Sequence, residues 1–167
     1  MCSLAFYAFL RVGEMAATNN NKSLLSIDNI AKLVNASNHV VSLKVTFLHY
    51  KHSYNQPPFL VIIQRQSSFC PVQFMLDYLK LRGNSRGSLF TIGWLPVHRQ
   101  YFCGLLTTAI KRCGLNPARY KGHSFRIGAA SHAAERGMSD AQIRVLGRWK
   151  SNAFLRYIRI SSLSSTN

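Results

Sequence analysis

Gly122-His123-Ser124-Phe125-Arg126-Ile127-Gly128-Ala129-Ala130 and, further on, Leu146-Gly147-Arg148-Trp149-Lys150-Ser151-Asn152-Ala153-Phe154-Leu155-Arg156-Tyr157-Ile158-Arg159 are the stretches that decide how this chain reads. His123 and Arg126 stand three apart at the start of a helical pattern, so both side chains can face one spot. Trp149 follows a glycine in a turn, and Tyr157 stands between Arg156 and Arg159. Arginine offers a planar fork that matches two phosphate oxygens. Histidine exchanges a proton near neutral pH. The indole N–H of tryptophan donates and does not titrate. A phenolate nucleophile needs cations nearby. Together these groups suit an attack on a phosphate, where donors and a positive field matter most.

Each piece alone has a plainer reading. A lone His-x-x-Arg is more often a capping histidine with a solvated arginine. A lone Trp after a glycine is more often a packing residue. Tyr157 is one of seven tyrosines.

Two further pieces lie upstream. Leu10-Arg11-Val12-Gly13-Glu14 places a carboxylate three residues after an arginine, where it can hold the guanidinium in one orientation. As an ordinary surface pair it contributes only about 0.2–0.5 kcal/mol. Lys51 stands in the polar connection His49-Tyr50-Lys51-His52-Ser53-Tyr54-Asn55-Gln56-Pro57-Pro58. Lys44 is a neighbour in the same region. Lys51 is preferred because it lies beyond the strand.

Composition narrows the partner. The chain has 167 residues with 21 Lys+Arg against 5 Asp+Glu, a formal charge of +16. Such a field favours a polyanion, above all nucleic acid. The cations are spread through folded-looking segments and are not gathered on one amphipathic helix, which disfavours a membrane-surface role. No apolar run reaches the roughly 18 residues of a membrane span. Met1 to Leu10 lacks a basic n-region and reads as a core helix. Cys2, Cys70, Cys103 and Cys113 form no CxxC pair, so they are expected to be reduced core thiols and not zinc ligands.

Periodicity and punctuation give the elements. A helix is expected over residues 3–17, ended by Asn19 to Asn21. Val40 to Leu48 and Phe59 to Ile63 read as strands joined by the polar connection above. Leu25 to Ile30 reads as a connection. Pro71 opens a helix that runs to Gly83. A helix follows from about Val97 to Arg112, stopped by Gly114. Ser124 to Arg136 is helical, and Ser139-Asp140-Ala141-Gln142 is a capping box for a helix ending at Gly147. Ser151 can cap a final helix that carries Tyr157. The expected class is α+β, mainly helical, with a small antiparallel β-hairpin or meander.

Taken in order, Arg-x-x-Glu, a hairpin lysine, His-x-x-Arg, a Gly-Arg-Trp turn and a tyrosine eight residues on resemble the catalytic domain of the tyrosine recombinases, the phage-integrase-like family. The two stretches quoted first look especially like recombinases of eukaryotic mobile elements, the DIRS-type retrotransposons and Cryptons. The resemblance implies a catalytic domain over residues 1–160, N-terminally truncated by a first helix, with 161–167 as a frayed Ser-rich tail. It implies that Arg11 and Arg126 grip the scissile phosphate, that His123 assists proton transfer, and that Trp149 hydrogen-bonds the phosphate. Lys51 would protonate the departing 5′ oxygen, and Tyr157 would form a 3′-phosphotyrosyl link. Glu14 would support Arg11. It implies no metal and no nucleotide cofactor, double-stranded DNA as partner, and a homo-oligomer on DNA in a full-length context. A eukaryotic chain would work in the nucleus, any other in the cytoplasm or nucleoid. The alternatives are a DNA-binding relic without catalysis and a type IB topoisomerase-like enzyme.

Overall fold

The computed structural model describes residues 1–19, 24–50 and 53–158. Its element order is α1 (Cys2–Tyr7), α2 (Val12–Met15), a 3-10 turn (Ile27–Asn29), β1 (Ile30–Val34), β2 (Val40–Phe47), β3 (Phe59–Gln64), α3 (Pro71–Arg82), β4 (Thr91–Ile92), β5 (Leu95–Pro96), α4 (Arg99–Arg112), α5 (Ser124–Glu135), α6 (Asp140–Leu146) and a terminal 3-10 turn (Asn152–Tyr157). The class is α+β and mainly helical, as expected, with one small three-stranded antiparallel sheet in the order β1-β2-β3.

The sheet follows from alternation along β3 and the second half of β2. Leu43, Val45 and Phe47 pair with Ile63, Val61 and Phe59. All but Phe59 are buried on the inner face. Lys44, Leu60 and Ile62 point the other way. β1 is a strand that the reading of 25–30 as a mere connection did not extend to. Its signal was present: Ile30, Leu33 and Val34 precede Asn35, whose Oδ1 accepts from the N–H of Ser37 and of His39 to close the turn.

The expected single helix over 3–17 is corrected. The chain breaks at Phe9, which adopts φ 52°. Phe9 is bent because its carbonyl is pulled inward by two arginines from the far end of the chain. The break starts a new helix at Val12 and leaves Arg11 as its capping residue. Met15, and not the asparagines, ends that helix; Asn20 and Asn21 lie outside the described residues. Val97 bonds back to the Phe90 carbonyl, so α4 begins two residues later than expected, with His98 Nδ1 accepting from the Gln100 N–H. The final helix is only a six-residue 3-10 turn. The cysteines are free, but Cys2 and Cys113 are exposed, so the core-thiol expectation holds for neither.

Two apolar clusters hold the elements. One joins α1, α2, the inner sheet face, α3 and Phe102 of α4. The other gathers Phe9, Ala129, Ala130, Ala133, Ile143 and Phe154, with Trp149 and Tyr157 packed against it. This second cluster pins the terminal turn onto α5, and so fixes where Tyr157 stands. The small residues of α5 make the close approach possible.

Candidate active site

Arg126 leaves the first turn of α5 and is buried, 1% exposed. Its Nη1 donates to the Phe9 carbonyl at 2.6 Å and its Nη2 to the Gly147 carbonyl at 2.6 Å. The two bonds fix the plane of the fork. Three of its five N–H donors remain. The guanidinium lies over the Trp149 ring, 4.3 Å from its centroid. A Cβ at Gly147 would fall inside that ring, so only glycine allows the Gly-Arg-Trp turn to fold back this tightly.

Arg11 is half-buried at the head of α2. Its N–H donates to Glu14 Oε2 at 2.7 Å, and its Nη1 to Oε1 at 3.3 Å. Glu14 is 2% exposed and takes a third donor, Nη2 of Arg148, at 2.9 Å. Arg148 is the residue that sequence reasoning passed over as mere turn. It adopts φ 54°, and its Nη2 also reaches the Phe9 carbonyl at 3.2 Å. Its guanidinium stacks on Phe47 at 3.9 Å. Arg11 and Arg148 thus share one carboxylate, and Arg126 and Arg148 share one carbonyl.

His123 caps the start of α5 with its ring exposed. The ring meets that of Tyr157 edge-on, with centroids 4.8 Å apart. Trp149 faces Tyr157 from another side at 5.9 Å. Ser131 donates to the Tyr157 carbonyl at 3.1 Å, which ties the terminal turn to α5. The fold therefore brings together Arg11, Glu14, His123, Arg126, Trp149 and Tyr157. Lys51 lies outside the described residues.

The electrostatics suit an anion. Burial, and then the charges of Arg11 and Arg148, push the Arg126 guanidinium down to about 9; Glu14 and Tyr157 pull it back up. It stays charged at neutral pH, in a site where one carboxylate answers three guanidiniums. Burial, then Arg126 and Arg11, hold His123 below its ordinary value. His123 is therefore neutral at pH 7, with one ring nitrogen free to accept. In the free protein an NMR titration is expected to find it protonating below about pH 6.5. Arg11→Gln should move the midpoint upward, and a wild-type midpoint at or above 6.5 contradicts the arrangement. Unfolded His123 binds its proton at higher pH than folded His123. Its contribution to stability is thus full above about 6.5 and is lost as pH falls.

A cleft of about 690 Å³ is lined by Arg11, Glu14, His123 and Arg126 of this cluster and also by Arg99 and Lys121.

No family model and no curated protein matches the sequence. Solved structures do. The integrase of the Tn1549 transposon, in complex with circular intermediate DNA, superposes with a TM-score of 0.57 at 13% identity, over 98% of this chain and 54% of that one. The fold is tyrosine-recombinase-like. A second complex of that integrase with circular intermediate DNA gives 0.58 at 12%, over 98% and 55%. Its complex with transposon right end DNA gives 0.56 at 13%, over 96% and 54%. The chain spans about half the length of these structures.

Proposed function

We propose that this chain breaks and rejoins double-stranded DNA through a covalent tyrosine intermediate. The observation that carries the proposal is the meeting of Tyr157 with His123, Trp149 and the charge of Arg126, behind which stand Arg11 and Glu14. In this reading Arg11 and Arg126 hold the non-bridging oxygens of one phosphate. The Tyr157 oxygen attacks phosphorus and its proton passes to neutral His123 or to water. The P–O5′ bond breaks and Lys51 supplies the proton that leaves with the 5′ hydroxyl. Trp149 donates to the phosphate. A 5′ hydroxyl from a partner strand reverses the steps, so the chemistry consumes no metal and no nucleotide. The origin we favour is a recombinase of a eukaryotic mobile element, acting in the nucleus as a homo-oligomer on DNA in a longer context.

The test is a nicked suicide duplex, randomised across the cleavage window, incubated with the full chain. The expected result is an adduct that resists detergent and whose tryptic nucleopeptide contains Tyr157. DNA binding without any adduct would instead mean a relic that binds and does not cut. Supercoil relaxation by the monomer, with no partner site, would mean a topoisomerase.

A further inference from the structure

The cleft does not end at the residues given a chemical role. Its far side is built by α4 and the turn before α5, which contribute Arg99, Thr107, Tyr120 and Lys121. Cys103, Leu106 and Pro117 add an apolar part to the lining. A second cleft of about 560 Å³ adjoins it and shares Arg99 and Cys103. Thr18, His98 and Gln100 extend the path around the head of α4. Through these shared residues the two clefts form one groove, with His123 and Arg126 lining the first.

The charges along this groove have one sign. Among the described residues Glu14 is the only carboxylate that lines either cleft, and Arg11 and Arg148 already answer it. Arg99 and Lys121 are exposed, and neither makes an ion pair or a side-chain hydrogen bond among the described residues. Two cations outside the groove, by contrast, are committed. Arg82 is spent on the carbonyls of Gly83, Ser85, Ser88 and Leu89, and Lys80 faces Asp77. A groove lined by unpaired cations and by apolar side chains suits a chain of alternating phosphates and sugars better than a compact anion. A lone phosphate would leave most of the volume empty.

We infer that this groove is a backbone track, in which Arg99 and Lys121 each neutralise a DNA phosphate beyond the one held by Arg11 and Arg126. The inference rests on the reading above in taking DNA as the polyanion. It does not need Tyr157 to react. The track extends the grip of the chain from one phosphate to a run of them, so the strand is set in register before the chemistry starts. Phosphate contacts of this kind position a duplex and carry no sequence information.

The test is a salt titration of the affinity for a labelled duplex, followed by anisotropy. Each phosphate contact contributes about 0.9 to the slope of log K against log salt. The double variant Arg99→Gln/Lys121→Gln should therefore lower the slope by about 2. A control removes the same charge elsewhere. Lys111→Gln/Arg112→Gln changes the far end of α4, about 20 Å from Arg99 at 1.5 Å per residue. It should lower the slope by much less. The charge-keeping pair Arg99→Lys/Lys121→Arg should retain the wild-type slope, which guards against a folding defect. An unchanged slope in the first pair, an equal fall in the control, or no salt-dependent binding at all overturns the track. An adduct at Tyr157 with no effect of Arg99 and Lys121 sinks this inference alone. A slope that falls as expected without any adduct leaves the track standing and sinks the proposed chemistry.

Discussion

Arg148→Met is expected to destabilise the chain by about 3–5 kcal/mol, the loss typical of breaking a buried ion pair from one side. Its thermal midpoint should fall by about 6–20 °C, at about 2–4 °C per kcal/mol for a chain of this size. The Arg148 side chain is 1% exposed and that of Glu14 is 3% exposed. Methionine fills much of the space over Phe47 but leaves Glu14 with Arg11 alone, and removes one of the two donors on the Phe9 carbonyl. The surface pair Lys80–Asp77 has side chains 79% and 54% exposed at 3.9 Å. Such a pair contributes at most about 1 kcal/mol. Burial therefore decides which ion pair matters here. Adding Glu14→Gln to Arg148→Met should recover part of the loss, because no unanswered charge is then left inside. Urea unfolding of the four proteins in the cycle checks this. A single variant within 1 kcal/mol of wild type would mean that Glu14 finds water or protonates at little cost.

Much of the frame was legible because its signals are local. Pro71 and Gly83 bracket α3, and Ser139 with Gln142 caps α6 within one turn. β2 and β3 declared themselves by their β-branched, apolar runs, while β1, β4 and β5 went unread. The spacing of His123, Arg126, Trp149 and Tyr157 could be read as a set, since three short elements carry it. What could not be read depends on distance along the chain. The break at Phe9 exists because Arg126 and Arg148 reach its carbonyl from 117 and 139 positions away. No window around residues 3–17 contains that demand, and the local pattern there is honestly helical. Arg148 was invisible for the same reason: its carboxylate lies 134 positions upstream. The exposed Trp94 and Phe69 carry no periodic signal either. The first sits on the β4–β5 hairpin, which is too short to give a periodic signal.

The buried arginines also limit how chemistry can be tested. Arg126 bridges two carbonyls, so Arg126→Lys would lose the fork and with it a tie between the α1–α2 break and the Gly147 turn. A fall in activity there would mix fold with mechanism. Tyr157→Phe does not have this defect. Its ring keeps the edge contact with His123 and the packing on Trp149. The tie from Ser131 goes to the backbone carbonyl, which every side chain retains. The hydroxyl makes no hydrogen bond among the described residues. The expected stability change is that of a neutral surface substitution, within about 0.5 kcal/mol. The expected chemical change is total, since the bond to phosphorus forms at the atom removed. Covalent adduct on the nicked duplex should vanish while DNA affinity and its salt slope stay near wild type. An adduct that survives would move the nucleophile elsewhere, and Tyr120, exposed and lining the same cleft, is the residue to remove next. Loss of adduct together with a large drop in thermal midpoint would instead make Tyr157 a packing residue of the second apolar cluster, and the His123 contact an accident of that packing.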